Sequence, residues 1–178
     1  MPADGVASFH PGARSDSAAA KCGVVVIGHG GTASALLAAA RDIIPGDGLA
    51  DVLAIDAGVG ETAELKLRVC AAVDEVDEGR GILLIADLMG SSPCMCGIKN
   101  SLGHGFALVT GLNLAMLTKL ALADRRSSPR ELANACAGSA QRSVCVKIND
   151  ESSQATQPEA QPGAQPGAQA QPAKCSTG

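Results

Sequence analysis

Between Lys21 and Asn149, short runs of branched aliphatic residues alternate with segments whose apolar positions recur every three or four residues. Cys22–Gly28, Val52–Asp56, Gly81–Ala86 and Phe106–Val109 have the length and β-branched content of buried strands. Thr32–Ile44, Glu61–Val76, Pro93–Leu102 and Leu114–Ala123 fall between or after them with helical period, and Pro129–Ala140 follows as a fifth helix. Leu36, Leu37, Ala40, Ile43 and Ile44 share one face of the first helix; Leu65, Val69, Ala72, Val73 and Val76 share one face of the second. Pro45-Gly46-Asp47-Gly48 ends the first, and Pro93 suits the start of the third, where its missing N–H has no intrahelical partner to lose. The alternation predicts an α/β domain: a doubly wound three-layer sandwich around a mostly parallel sheet of four strands. Ser143–Ile148 alternates in polarity and reads as a C-terminal edge strand.

The segments on either side have a different character. The leader, residues 1–20, carries Pro2, Asp4, Pro11 and Asp16 and lacks the apolar stretch of a secretory signal. The stretch 150–178 is dominated by Gln, Pro, Ala and Gly, with too few branched apolar residues to offset the entropy of ordering it. The expectation is a disordered leader, one folded domain over 21–149, and a flexible tail. Seven scattered Cys without a secretory signal read as reduced thiols, so the default location is cytoplasmic. Runs such as Cys22–Ile27 and Ile82–Ala86 are strand-length and far too short to span a membrane. The absence of Trp and Tyr removes the stacking platforms of a single-strand nucleic-acid binder. A formal charge of −4 also gives no general attraction to phosphate backbones or anionic lipid.

In such sheets ligands bind beyond the carboxyl ends of the strands, where strand order reverses. Gly28-His29-Gly30-Gly31-Thr32 follows the first strand, Asp87-Leu88-Met89-Gly90-Ser91-Ser92-Pro93 the third, and Thr110-Gly111-Leu112-Asn113 the fourth. His29 stands between glycines that leave its imidazole uncovered, and the helix after it points N–H groups and a positive dipole end at any anion there. Asp87 can fix the tautomer of His29 and offset the charge gained on phosphorylation, or it can simply cap the next helix. Gly90, Ser91 and Ser92 can supply N–H and hydroxyl groups to phosphoryl oxygens, or serve as a Ser-rich cap. His10, in the leader, and His104, in a turn at the opposite end of the sheet, read as surface residues.

Other chemistries fit less well. Gly28-His29-Gly30-Gly31-Thr32-Ala33 matches a loose dinucleotide pattern, with Asp56 as a ribose ligand, but a titratable His fills a spacer position and no substrate domain has room. No Gly-Lys-Ser/Thr follows the glycines, which excludes a P-loop. Asp87 is placed like the phosphoacceptor of a receiver domain, yet Gly28-His29 stands where such domains carry an acidic pair. Cys94-Met95-Cys96 reads as buried thiols in preference to a metal site.

VVVIGHGGTASALLAAARDI, then DLMGSSP, then VTGLNLAMLTKLAL, in that order, resemble the enzyme IIA domain of the mannose class of the bacterial phosphoenolpyruvate-dependent sugar phosphotransferase system. The similarity runs from about Cys22 to Ile148. The resemblance implies a cytoplasmic phosphoryl carrier that takes the group from the phosphocarrier HPr on His29 and hands it to a IIB component for sugar uptake, reaching the membrane only through the transporter. His29 matches the family's phosphorylated His and Asp87 its orienting carboxylate. Gly30, Gly31, Thr32, Gly90, Ser91 and Ser92 fall where phosphoryl oxygens would be held; Met89, Gly111 and Asn113 fall on the partner-facing loops. No metal or organic cofactor is implied. Family members are commonly homodimers that exchange a C-terminal strand, a role open to Ser143–Ile148. Ser91 stands where the family usually has a second Gly, Cys94-Met95 where Phe-Asn is common, and Gly58-Val59-Gly60-Glu61 where Pro-Gly-Glu is frequent. No IIB sequence follows the tail, which points to a free-standing IIA or to a regulatory module whose phosphorylation state controls a partner. A subunit feeding a dihydroxyacetone kinase fits the Asp87–Pro93 loop less well.

Overall fold

The structure, a computed structural model, describes residues 20–149. His10 and the Gln/Pro/Ala-rich stretch lie outside the described residues. The strands are β1 Gly23–His29, β2 Leu53–Ala57, β3 Ile82–Ala86 and β4 Phe106–Thr110. The helices are α1 Thr32–Ile43, α2 Ala63–Val76, α3 Ser92–Asn100, α4 Leu114–Ala121 and α5 Pro129–Ser143, with a single 3-10 turn at Asp47–Leu49. Element order agrees with the alternation in the sequence, and boundaries move by one to three residues. The largest shift is at α5, which runs on through Ser143. The expected fifth strand is a correction: residues 144–149 form no strand in the single chain, and Val144, Val146 and Ile148 are 77%, 81% and 77% exposed. Alternating polarity marks a segment able to pair, but among the described residues no β-strand takes it up.

All three strand pairings are parallel, in the order β2-β1-β3-β4. Chain direction across the sheet reverses at β1, so the loops after β1 and β3 diverge to opposite sides of the crevice between those two strands. In register, Gly28 faces Asp56 on β2, and Ile27 faces Ala86 on β3. The tip of β1 therefore lies beside the ends of both neighbours.

Successive β1 side chains enter opposite layers. Val24 and Val26 pack with Leu83, Ile85, Leu37, Leu117, Leu132 and Cys136 under α1, α4 and α5. Val25 and Ile27 pack with Leu84, Val69, Val73 and Cys96 under α2 and α3. Burial of each such branched side chain contributes about 1.5–3 kcal/mol, which is why β1 and β3 are apolar along nearly their whole length. Cys94 and Cys96 are inside this core, as the sequence suggested. Burial pushes the Cys96 thiol pKa up.

Polar side chains tie the layers where the backbone alone cannot. Arg125, 7% exposed, donates to the Cys22 carbonyl through Nε (3.0 Å) and reaches Asp51 through Nη1 (3.2 Å), while its own carbonyl accepts from Cys22 N (2.7 Å). On β2, an edge of the sheet, Arg68 of α2 donates to the Asp56 carbonyl at 3.0 Å and so occupies an acceptor that another strand would otherwise use. His104 sits before β4, at the end of the sheet away from the β-strand carboxyl termini, as expected, but it is no free surface side chain. Its Nδ1 lies 2.7 Å from Asp77 and its Nε2 3.3 Å from Asp74, both at the end of α2.

Candidate functional site

His29 is the last residue of β1, and Asp87 directly follows β3 on the adjacent strand. Asp87 Oδ2 accepts from the backbone N–H of His29 at 2.7 Å and lies 2.9 Å from its Nδ1. The side chain of His29 is 47% exposed and that of Asp87 16% exposed, so the imidazole opens to solvent while its partner is enclosed. Asp87 Oδ1 is buried without a hydrogen-bond partner among the described residues. Burial works to raise the Asp87 pKa, but the bonds from the His29 backbone and ring, the nearby imidazole charge and the Leu88 N–H outweigh it and leave the pKa below the usual value. Asp87 is therefore an acceptor-only carboxylate at neutral pH. Nδ1 must carry the proton that faces it, and in the neutral imidazole the free lone pair is then on Nε2.

The approach of these groups depends on Gly28. A Cβ there would lie 3.1 Å from Ala33 N, 3.3 Å from Thr32 Cβ and 3.4 Å from Asp87 Oδ2. A Cβ there would make the start of α1 give by a few tenths of an ångström, so glycine suits the close approach of α1 and the Asp87 carboxylate over β1. The loop that follows is held at both ends: Gly30, at φ +55°, donates to the Ala57 carbonyl (2.9 Å), and Thr32 Oγ1 donates to the His29 carbonyl (2.6 Å). Gly31 is the N-cap of α1 and offers no side-chain cap. Asp56 supplies one from β2, accepting from Ser34 N at 3.0 Å and from Ser34 Oγ.

The loop after β3 turns at Gly90, φ +75°, and enters α3 through Ser91, whose Oγ accepts from Cys94 N at 3.3 Å. The capping role read for these serines thus falls to Ser91, while Ser92 is the first residue of α3 and half-buried. Leu88 and Met89 are 61% and 64% exposed beside Asp87. In the loop after β4, Leu112 N donates to the carbonyl of Ala86, the residue before Asp87, at 3.1 Å. Asn113 caps α4 through Oδ1 to Met116 N (3.0 Å) and also donates to the Gly111 carbonyl (3.1 Å). The three loops singled out in the sequence thus meet at the same end of the sheet.

Ser34 carries no signal in the sequence, and Asp56 reads there as a ribose ligand of a dinucleotide pattern. Both carboxylate oxygens of Asp56 are engaged by Ser34, which commits it to α1 and removes the support it lent to a dinucleotide site.

Residues 23–137 match the family described as PTS system fructose IIA component. Comparison with curated protein sequences gives no significant match. Among solved structures, the mannose/sorbose-specific IIA subunit of the phosphotransferase system from Enterococcus faecalis is 25% identical, with a TM-score of 0.63, covering 74% of this chain and 98% of that one. The PTS IIA protein associated with the fucose utilization operon of Streptococcus pneumoniae is 24% identical, with a TM-score of 0.59, covering 72% and 95%. A phosphotransferase-system permease from Klebsiella pneumoniae shares the fold at 22% identity and a TM-score of 0.61, covering 71% and 91%. With the family match spanning most of the chain and the sheet, helices and loop order in agreement, this protein belongs to the mannose-class IIA family of the sugar phosphotransferase system, as a IIA component.

Proposed function

We propose that the chain is a phosphoryl carrier in which His29 accepts the group from the phosphocarrier HPr and passes it to a IIB component. The observation that carries this reading is the bond between Asp87 Oδ2 and His29 Nδ1 at 2.9 Å. It leaves Nε2 of an exposed imidazole as the nucleophile. The Nε2 lone pair attacks phosphorus in line as the phosphorus–nitrogen bond of the donor phosphohistidine breaks, and the donor imidazole leaves with that electron pair. Asp87 holds the Nδ1 proton throughout and offsets the positive charge that the ring gains. Onward transfer to IIB is the same step in reverse. The work required is positioning and charge placement.

The phosphoryl oxygens are assigned to the N–H groups of Gly31 and Thr32 on one side and of Gly90 and Ser92 on the other. The Gly30 N–H is already given to the Ala57 carbonyl and the Ser91 N–H to the Leu88 carbonyl, so Gly30 serves by shaping the turn and Ser91 through its hydroxyl. The Thr32 hydroxyl proton is already given to the His29 carbonyl, so that residue serves through its backbone. The Ser91 hydroxyl accepts from Cys94 and keeps its proton for donation. Exposed Met89, with Gly111 and Asn113, lies on the rim that a partner must cover to bring its own reactive group to His29. We place this activity in the cytoplasm; among the described residues no helix is long and apolar enough to cross a membrane.

The deciding experiment is labelling with phosphoenolpyruvate, enzyme I and HPr. The parent chain takes up one phosphoryl group per chain, and His29→Ala takes up none. Full labelling of His29→Ala would sink the assignment. Chasing the label into an added IIB domain then separates a transport component from a regulatory one, which retains it.

A further inference from the structure

We infer that Asp56 is a positioning residue for His29 whose negative charge, set on the first turn of α1, keeps a phosphoryl group on His29 loosely held and therefore transferable. This rests on the reading of His29 as the phosphoryl acceptor.

Asp56 lies in β2 in register with Gly28, one residue before the tip of β1. It accepts two hydrogen bonds from Ser34, from the backbone N–H at 3.0 Å and from the hydroxyl. Ser34 is in the first turn of α1, a helix whose own cap position is a glycine. The turn is thus capped from a neighbouring strand by a full negative charge. Ala33 N of that turn and Asp87 Oδ2 lie 3.1 and 3.4 Å from the point where a Gly28 Cβ would stand. The capped turn and the His29–Asp87 pair therefore crowd one point in the fold.

Two consequences follow for a phosphorylated His29. The helix on which the His29 loop hangs is fixed to β2, so the loop cannot drift when partners exchange. The partial positive charge of the helix start is also already met by Asp56, so a dianionic phosphoryl group finds a shared anion site instead of a vacant one. A deep anion site would trap the group. A carrier that both receives and releases it needs a bound state close in free energy to donor and acceptor, and a nearby carboxylate raises the energy of the phosphorylated form selectively.

The test measures the equilibrium distribution of phosphoryl groups between HPr and the full chain, for the parent, Asp56→Asn and Asp56→Glu. Asparagine keeps the acceptor oxygen for Ser34 and removes the charge; Asp56→Ser, a neutral cap of smaller size, replaces it if the asparagine variant does not fold. The neutral variant is expected to shift the distribution about three- to tenfold towards the chain and to slow transfer to IIB, as expected for loss of a like charge at partly screened range. Asp56→Glu, which restores the charge, is expected to return the distribution towards that of the parent. A folded neutral variant whose distribution stays within about twofold of the parent overturns the inference, as does an equal shift in Asp56→Glu, which indicates a purely structural cap. Failure of the parent to take label at His29 overturns the underlying reading instead, so the two failures are distinguishable.

Discussion

At the scale of single residues, the site reduces to one carboxylate oxygen with two jobs. Asp87 Oδ2 holds both the backbone and the ring of His29, and Asp87→Asn keeps the shape of that contact while discarding its charge. An amide can present either an acceptor or a donor to Nδ1 and so no longer enforces one tautomer. Phosphorylation of His29 in the Asp87→Asn chain should fall by about a hundredfold or more, read from the initial rate of labelling by phospho-HPr. A rate within about threefold of the parent would show that Asp87 does not orient the imidazole. Acid stability gives a second measure. The native Asp87 pKa is depressed below its unfolded value near 3.9, so its ionised form stabilises the fold fully above that value. The contribution is lost as pH falls through the depressed native value, and the urea midpoints of parent and Asp87→Asn should converge on acidification. His29 and Asp87 were legible in the sequence because a histidine between glycines at a strand tip has little structural use, and an acid after the third strand meets it in a doubly wound sheet. The Ser34–Asp56 cap was not legible. It depends on β2 lying beside β1 in one register, which no local pattern around either residue encodes.

At the scale of elements, the strands and helices were readable from periodicity because β1 and β3 are buried on both faces and the helices on one. What escaped was how their far ends are tied. Asp77, which ends α2, accepts from Gly79 N (2.9 Å), Gly81 N (3.0 Å) and the ring of His104, joining α2 to the starts of β3 and β4. Burial works to raise the Asp77 pKa, and the His104 and glycine bonds outweigh it, so the carboxyl titrates below its usual range. The sequence presents Asp74, Glu75, Asp77 and Glu78 as an acidic run at a helix C-terminus, where the dipole disfavours it. His104, far along the chain, makes that placement tolerable, and the pairing could not be read from local pattern. Asp77→Ala should lower stability by about 2–3 kcal/mol at neutral pH in a urea titration, since it leaves two glycine N–H groups and Nδ1 of His104 without their acceptor. Its effect should shrink as pH falls through the depressed native pKa of Asp77. A loss below about 0.5 kcal/mol would mean that solvent replaces these bonds at no cost. Labelling of His29 should be unaffected while the chain remains folded, because this tie is at the opposite end of the sheet from His29.

At the scale of the whole molecule, β4 ends the sheet of the described residues, and residues 144–149 form no strand. Beside the end of β4, Thr110, Gly111, Asn113, Met116, Ala137, Ala140, Gln141 and Val144 line an open groove of about 230 Å³. An exposed edge beside an apolar groove invites pairing with another chain, and natural sheets seldom leave one uncovered. The segment Val144-Cys145-Val146-Lys147-Ile148 has the period of a strand and exposes Val144, Val146 and Ile148. Exchange of such a segment between two copies, each lending its strand to the other, is a low-cost way to bury it, because the contacts are those one fold would make within itself. The chain is therefore expected to sediment as a dimer at micromolar concentration. A chain ending at Ser143, which retains every strand and helix of the described residues, is expected to sediment as a monomer with the same far-ultraviolet dichroism per folded residue. Val146→Asp in the full chain makes the same point without truncation: a charge placed on the exchanged strand should weaken association at least about tenfold by analytical ultracentrifugation. A monomeric parent chain, or a dimer that survives both changes, would place the subunit interface elsewhere. Gly111 and Asn113, proposed above to meet the transfer partners, also line this groove, so the monomeric forms should also transfer phosphoryl groups to IIB more slowly. Labelling of His29 by phospho-HPr tests whether the site itself is intact.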